Sequence, residues 1–163
     1  VVELLGFVVQ TLEPLAKGSA IKLEMKRPAG PLRVRGERDE LAQVFLNLVQ
    51  NGIRYGRAGG RVTITFEERG TDPARPMVAI SVIDTGIGIP AEHIPRLTER
   101  FYRVSAMASR AKGGTGLGLA IVKHIVSRHR GELTIDSELG KGSIFTVSLP
   151  GAAASAKSSP ANG

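Results

Sequence analysis

Apolar residues recur at helical spacing in two long stretches of the chain and in a shorter third one. In residues 1–17 they occupy positions 1, 4, 5, 8, 9, 12 and 15, which form the apolar stripe of an amphipathic helix. Residues 39–55 repeat this spacing and predict a second helix, which Asp39 caps and Gly56 ends. Residues 117–128 predict a third helix.

Alternating or β-branched stretches lie between these helices and predict strands. Strands are predicted for residues 20–26, 32–35, 61–68, 77–83, 133–136 and 144–149, the last two as a hairpin. Because strands and helices interleave while a hairpin also occurs, we expect a mixed sheet. The simplest packing is an α/β (α+β) two-layer sandwich with three main helices on one face of that sheet.

Length and composition narrow the class of protein. The 163 residues suit one domain, which we expect at residues 1–150, followed by a disordered tail rich in Ala and Ser at 151–163. The absence of cysteine excludes disulfides and thiolate metal sites. No apolar run approaches the roughly 18 residues that span a bilayer, so we expect a soluble domain.

The net charge of +7 is unevenly distributed. Residues 85–131 hold eight Lys or Arg against two acidic residues, which fits nucleic acid, a polyphosphate or an acidic partner. Single-stranded nucleic acid is usually held by stacking on aromatic rings, yet aromatic residues are only 4% of this chain. The composition therefore favours the polyphosphate or the acidic partner.

Two glycine-rich turns indicate where a polyphosphate could bind. Gly86 and Gly88 follow a predicted buried strand, and three alternating glycines at 114–118 lead into the third helix. Glycine lets a backbone approach a ligand closely, and a helix N-terminus attracts anions. The glycines at 114–118 have the spacing of neither a dinucleotide fingerprint nor a P-loop. The basic loop at 95–113 resembles a lid, and together these features predict a nucleotide site.

Polar side chains near these turns are candidates for contacts with a nucleotide. Asp84, at the end of a buried strand, could accept a hydrogen bond from the adenine amine. An aspartic protease needs two carboxylates, so with a single Asp-Thr-Gly it would have to be a dimer, and it would leave the basic loop and the second glycine-rich turn unexplained. An ordinary turn aspartate remains open. Asn47, Asn51 and Arg54 share one edge of the second helix, where an Asn oxygen could ligate Mg²⁺. Ordinary solvent-side polar residues are the alternative.

Taken in order, these segments resemble the catalytic, ATP-binding domain of bacterial sensor histidine kinases, in the wider family of Hsp90, DNA gyrase B and MutL. The resemblance covers about residues 1–150 and implies a Bergerat ATP-binding fold. Residues 43–55 resemble the N box, 84–88 the G1 box, 100–103 the end of the F box, 114–119 the G2 box, and 140–145 the closing glycine motif. Residues 123–150 are most similar to the phosphate-starvation sensor branch.

The resemblance implies a role for each matched residue. Asn51 would hold Mg²⁺, while Asn47 and Arg54 would lie beside the phosphates, and these three would be the catalytic residues. Tyr55 would pack near the base or ribose, and Asp84 would recognise the adenine amine. The further ATP-binding residues implied are Gly86, Gly88, Ile89, Arg100, Tyr102, Lys112, Gly114, Thr115, Gly116, Leu117, Gly118 and Leu119.

The implied reaction is transfer of the ATP γ-phosphoryl group to a histidine on a separate, dimerising helical hairpin. The chain's three histidines match no phosphoacceptor motif, so we expect that hairpin and a response regulator as partners. We expect no binding of nucleic acid or membrane. The full protein would be a homodimer, and this fragment a monomeric, cytoplasmic part of a longer sensor, for which a membrane anchor is one alternative. Asn47 stands where related ATPases have a general-base Glu, which favours a phosphotransferase over a hydrolase.

Two departures and two rival functions accompany this interpretation. Thr98 replaces a Phe of the F box, so packing of the lid should be weaker. Gly52 replaces an Ala of the N box, which should destabilise the second helix by up to about 1 kcal/mol. The rivals are a protein Ser/Thr kinase of the same fold, such as an anti-sigma factor, and a non-enzymatic basic module that binds nucleic acid.

Overall fold

The computed structural model describes residues 1–102 and 118–152. Within this part of the chain, a five-stranded sheet is covered by helices. The elements are α1 (Val2–Gly18), β1 (Lys22–Met25), α2 (Arg38–Arg54), β2 (Arg61–Arg69), β3 (Met77–Asp84), a 3₁₀ helix (Ala91–Arg96), α3 (Gly118–Arg128), β4 (Glu132–Glu138) and β5 (Gly142–Pro150).

The sheet is mixed, as predicted, with strand order β1-β2-β3-β5-β4. β1 runs parallel to β2, and the remaining pairs β2–β3, β3–β5 and β5–β4 are antiparallel. The long β3 and β5 lie in the middle and run antiparallel over their whole lengths, from the pair Met77–Pro150 to the pair Asp84–Ser143. This arrangement places the end of β3 beside the start of β5.

Alternation along the central strands separates a core face from a polar face. Val78, Ile80 and Val82 of β3 are buried in the same cluster as the apolar faces of the helices. The helical residues of this core include Leu5 and Val8 of α1, Val44, Phe45 and Leu48 of α2, and Val122 and Val126 of α3. The α+β sandwich with three helices on one face is therefore confirmed.

The start of α2 differs from the prediction in its capping residue. The helix begins at Arg38, and the carboxylate of Glu37 accepts a hydrogen bond from the N–H of Glu40 at 2.8 Å. The prediction that Asp39 caps the helix is therefore wrong, because Asp39 already lies in the first helical turn. Helix N-caps are usually Ser, Thr, Asp or Asn, whose side chains accept an N–H two or three residues ahead. Here the longer side chain of Glu37 makes that hydrogen bond instead.

His129, at the end of α3, ties the two neighbouring helices together. Its Nε2 accepts the backbone N–H of Glu37 at 3.0 Å, and its Nδ1 donates to the carbonyl oxygen of Ile125 at 2.8 Å. The side chain is only 9% exposed. Both ring nitrogens are engaged, so this histidine has a packing role.

Three other boundaries differ from the sequence-based prediction. Residues 32–35 make only one β-bridge, Val34 with Gly151, instead of a strand. Gly151 and Ala152, assigned to the tail, hydrogen-bond to Pro76 and Arg33, whereas residues 153–163 lie outside the described residues. The 3₁₀ helix was missed because Pro95 within it reads as a loop signal.

No helix in residues 1–102 or 118–152 is long and apolar enough to cross a membrane.

Candidate nucleotide-binding site

Asp84 ends β3 in a buried position on the core face of the sheet. It pairs in register with Val62 on one side and Ser143 on the other. Its side chain shares the face of the apolar residues Val82 and Ile80, because alternate residues of a strand point the same way. On this face, β3 therefore ends in a carboxylate where its preceding residues Val78, Ile80 and Val82 are apolar.

The environment of the Asp84 carboxylate is dry but contains hydrogen-bond donors. The residue is 8% exposed, and this burial raises the pKa of Asp84 above its ordinary value. The backbone N–H of Gly86 donates to its Oδ1 at 2.9 Å, and the N–H of Ser143 also favours the charged form, yet burial outweighs both in setting the pKa. A buried carboxylate with this balance is suited to accept a hydrogen bond from a ligand.

The turn after Asp84 requires glycine at two positions. A Cβ at Gly86 would collide with the carbonyl oxygen of Tyr55, so no other residue fits without moving the end of α2. Gly88 has φ of +72°, and a Cβ there would collide with the backbone carbonyl of Glu138. The glycines thus let this turn pack tightly between α2 and the β4–β5 hairpin.

Hydrogen bonds attach the same turn to its neighbours. The N–H of Ile87 donates to the carbonyl oxygen of Tyr55 at 3.3 Å, and the N–H of Gly140 donates to the carbonyl oxygen of Ile87 at 2.8 Å. The hydroxyl of Thr85 accepts the N–H of Arg61 at 2.9 Å. The turn is therefore fixed to α2, to β2 and to the tip of the hairpin.

Helix α2 forms one side of the site, and Gly52 sets how closely it approaches the sheet. A Cβ at Gly52 would lie 3.2 Å from Cγ2 of Val62 and 3.6 Å from the Cβ of Asp84. Asn47, Asn51, Arg54 and Tyr55 are all half-buried on this helix or at its end. The structure therefore brings the C-terminal part of α2, at Gly52 and Tyr55, close to Asp84 and its turn.

Asn47 has an unsatisfied hydrogen-bond donor. Its Nδ2 is buried and has no hydrogen-bond partner within residues 1–102 and 118–152. Gly118, the first residue of α3, lies against it, since a Cβ at 118 would be 3.8 Å from the Asn47 carboxamide. A buried donor beside a helix N-terminus favours binding of an anionic acceptor.

The F-box residues lie apart from the contacts that build this site. Tyr102 contacts His93 through its hydroxyl, and the Arg96 guanidinium lies 4.5 Å from the centre of its ring. Arg100 lies over the ring of Phe101 at 5.7 Å. No described contact joins Arg100 or Tyr102 to Asp84 or Asn47 within residues 1–102 and 118–152, so their predicted roles in ATP binding stay predictions.

Several predicted ATP contacts lie outside the described residues, namely Lys112, Gly114, Thr115, Gly116 and Leu117. Of the glycine-rich run before α3, the structure describes only Gly118. Leu119 packs against the hydrophobic core, and Ile89 is held through its backbone N–H by the hydroxyl of Ser137 at 2.8 Å. Their side-chain roles toward a nucleotide also remain predictions.

Comparison with known protein families identifies the family to which the chain belongs. The sequence profile described as "Histidine kinase-, DNA gyrase B-, and HSP90-like ATPase" matches residues 36–153. The chain belongs to this family. The match contains α2, the turn after Asp84 and the β4–β5 hairpin, which are the parts that build the site.

Similar members of this ATPase family are sensor kinases. The chain is 42% identical over 148 residues to the sensor histidine kinase RppB of Synechocystis, which covers 91% of this chain and 32% of RppB. It is 47% identical over 120 residues to the phosphate regulon sensor protein PhoR of Pseudomonas aeruginosa, which covers 72% of this chain and 26% of PhoR. The chain thus spans between a quarter and a third of these relatives.

A solved structure shows the same fold. Full-length ShkA in complex with AMPPNP superimposes with a TM-score of 0.77 at 28% identity, over 93% of this chain and 30% of ShkA. The resemblance drawn from the sequence motifs is therefore confirmed at the level of the family and of the fold.

Sequence reasoning left the hairpin residues behind Asp84 out of the candidate site. Gly142 has φ of +124°, and a Cβ there would collide with the carbonyl oxygen of Asp84, so this glycine allows β5 to begin directly beside the carboxylate. Ser143 follows it and is buried. The signal was present as the closing glycine motif, which matched the family but was given no role in the site.

Proposed function

We propose that this chain binds ATP with Mg²⁺, with the adenine at Asp84 and the phosphates near Asn47 and the start of α3. The observation that carries the proposal is the buried Asp84 carboxylate at the end of β3, whose pKa is raised by burial and whose Oδ1 accepts the backbone N–H of Gly86. The orphaned Nδ2 of Asn47 supports a phosphate at the other end, because a phosphate oxygen supplies the missing acceptor. The residues therefore fit the nucleotide.

Asn51 is the proposed Mg²⁺ ligand. It lies one helical turn after Asn47 on α2, and an amide oxygen is a hard ligand that Mg²⁺ accepts beside water and phosphate. When bound, the ion neutralises charge on the phosphates. Arg54, at the end of the same helix, adds a fixed positive charge, and Tyr55 lies next to it for the base or ribose.

We further propose that the longer protein transfers the γ-phosphoryl group to a histidine on a separate helical hairpin. Phosphoryl transfer depends mainly on positioning and on charge stabilisation. Asn47 is a poor general base, so the site is suited to exclude hydrolysis rather than to activate water. The family membership and the likeness to RppB and PhoR support a sensor histidine kinase.

The proposed partners follow from that activity. The histidine-bearing hairpin would belong to the same protein, and a response regulator would receive the phosphoryl group. The full protein would be a homodimer, with this part a monomer in the cytoplasm. A phosphate-responsive branch is favoured by the likeness to PhoR.

Calorimetric titration of the purified chain tests the binding proposal. We expect micromolar, saturable binding of ATP with Mg²⁺ and much weaker binding of GTP, whose 6-oxo group would face the Asp84 carboxylate. Equal affinity for ATP and GTP would contradict the adenine assignment. Absence of ATP binding by the folded chain would contradict the proposal as a whole.

A further inference from the structure

A row of side chains crosses three strands at the end of the sheet. Asp84 of β3 pairs with Ser143 of β5, and Ser143 pairs with Ser137 of β4. Directly paired residues of antiparallel strands present their side chains on the same face, about 4.5–5.5 Å apart at Cβ. The two serines thus lie beside the carboxylate that the proposed function assigns to adenine.

Ser137 makes three hydrogen bonds at once. Its hydroxyl oxygen accepts the backbone N–H of Ile89 at 2.8 Å. Its hydroxyl hydrogen is donated to the carbonyl oxygen of Gly142 at 2.9 Å. The oxygens of Ser137 and Ser143 lie 2.8 Å apart, a hydrogen-bond distance in which either could donate.

The donor of the serine pair follows from counting hydrogens. A serine hydroxyl has one hydrogen and two lone pairs. The carbonyl oxygen of Gly142 can only accept, so the hydrogen of Ser137 is used there. For all three bonds to exist together, Ser143 must donate to Ser137. The Ser143 oxygen then has only lone pairs left to offer to its other surroundings.

We infer that Ser137 is a positioning residue for recognition of the base. It acts through Ser143, whose hydroxyl it turns into an acceptor beside the Asp84 carboxylate, and through Ile89, whose N–H it holds. The row then presents acceptors to a ligand amine and no donor to a ligand carbonyl. This inference rests on the proposed binding of ATP, and it assigns part of the preference for a 6-amino purine to a residue outside the binding turn.

Removing the Ser137 hydroxyl should change base preference as well as affinity. In Ser137→Ala, the Ser143 hydroxyl is free to rotate and can donate its hydrogen to a 6-oxo group. The N–H of Ile89 also loses its acceptor, which loosens the turn. ATP should therefore bind less tightly, whereas ITP, which carries a 6-oxo group in place of the 6-amino group of ATP, should lose little or gain.

The experiment compares ATP and ITP affinities, by calorimetry with Mg²⁺, in four chains. These are the wild type, Ser137→Ala, the conservative Ser137→Thr, and Ser81→Ala. Ser81 is a matched control, because its hydroxyl bonds Thr146 at 2.9 Å in the same sheet but on the opposite face from Asp84. Loss of one neutral hydrogen bond in a site typically weakens binding about fivefold to tenfold.

We expect Ser137→Ala to lower the ratio of ATP to ITP affinity by about fivefold or more. The reason is that the Ser143 hydroxyl, which Ser137 orients, distinguishes a 6-amino from a 6-oxo group. Ser137→Thr should keep the wild-type ratio, and so should Ser81→Ala. A purely structural role would instead weaken ATP and ITP equally, and this result would overturn the inference. An unchanged ratio and affinity in folded Ser137→Ala would overturn it as well.

A second variant covers the case in which Ser137→Ala does not fold. Ser143→Ala removes the hydroxyl that Ser137 orients, and it should lower the same ratio. If the ratio is unchanged there, the inference fails even without data on Ser137. If the wild type itself binds no ATP while folded, the proposed function fails instead, so the two failures are distinguishable.

Discussion

Asp84 shows at the scale of one residue how binding competes with stability. Burial raises the pKa of this carboxyl, so the folded chain holds a charge in a place that disfavours it. The backbone donors at Gly86 and Ser143 compensate only in part. Such a residue is expected to be retained for a ligand at some expense of the free energy of unfolding.

Asp84→Asn is expected to separate these two effects. An amide in place of the carboxylate presents a donor where the adenine amine needs an acceptor, and an unsatisfied buried group costs about 1–3 kcal/mol, or about 5- to 150-fold in ATP affinity. The free energy of unfolding without ligand should not fall. Calorimetry measures the ATP affinity and urea unfolding measures the free energy of unfolding, with Asp136→Asn at an exposed position as the control. Unchanged ATP affinity would contradict the adenine role.

The pH dependence of this variant has a defined sign. Because the pKa of Asp84 is raised in the folded chain, the folded state binds more protons than the unfolded state in the window above the ordinary value of 3.8. The free energy of unfolding of the wild type relative to Asp84→Asn should therefore fall as the pH rises through that window and level off above it. Urea unfolding across the acid range measures this difference, and a rise would contradict the burial argument.

Gly88 and Gly140 form a natural pair for testing the turn. Both have positive φ, +72° and +84°, so alanine is strained at either position by about 1 kcal/mol. Only at Gly88 would the new Cβ also meet backbone, the carbonyl of Glu138, whereas nothing lies within 4 Å at Gly140. We expect Gly88→Ala to displace the turn and abolish ATP binding, while Gly140→Ala keeps it.

Calorimetry measures ATP binding by the two glycine variants, each of which is first shown to be folded by circular dichroism. Equal loss of binding in both would mean that backbone strain alone is responsible. In that case the close packing of the turn against the hairpin would not matter for the nucleotide.

The residues that sequence reasoning found are those whose chemistry is local. Asp84 at the end of a β-branched run and the glycines after it form a recognisable string, so their position could be predicted. Ser137 could not be found this way, because its three partners come from a turn 48 residues away and from the next strand. A serine in an alternating strand carries no local sign of such a role.

At the scale of elements, apolar periodicity predicted the helices and the long strands correctly, whereas the capping residue of α2 was predicted wrongly. The three helices and the long strands lie where the apolar pattern predicted them. Residues 32–35 failed as a strand because only one bridge, to Gly151, is available to them. Register with a partner decides whether an extended segment becomes a strand, and that information is not local.

Thr98, which follows the 3₁₀ helix, lines a pocket on the surface of the chain. A cavity of about 300 Å³ lies between this helix, α3 and β4. It is lined by Ile94, Thr98, Lys123, Val126, Ser127, Gly131, Glu132, Leu133 and Ile135. The position at which the family motif usually has Phe thus borders an open pocket whose lining is partly apolar.

Thr98→Phe is expected to fill part of this cavity and stabilise the chain. The ring would pack against the apolar side chains of Ile94, Val126 and Leu133, and we expect the free energy of unfolding to rise by about 1 kcal/mol, part of the value of burying an aromatic side chain. Thr98→Val, which removes the hydroxyl without filling the space, should change little. Urea unfolding measures both, and a destabilised Thr98→Phe would show that the space cannot admit the ring.

At the scale of the whole molecule, the proposed nucleotide connects elements that are distant in sequence. Asp84 lies at the end of β3, Asn47 and Asn51 lie on α2, and Gly118 begins α3. The fold could be predicted because these elements share one apolar core. The closeness of α2 to the sheet could not be predicted, because it depends on tertiary packing at Gly52, where a Cβ would lie 3.2 Å from Cγ2 of Val62.

A ligand that bridges these elements should stabilise the chain as a unit. A ligand that binds only the folded state, present at 100 times its dissociation constant, raises the free energy of unfolding by about 2.7 kcal/mol. In urea unfolding, we expect ATP with Mg²⁺ to raise the free energy of unfolding by this amount, and ATP with a chelator to raise it by less. Asn51→Ala should remove most of the difference between the two conditions. If Asn51→Ala instead lowers the stabilisation equally with and without Mg²⁺, Asn51 contacts the nucleotide but does not hold the metal.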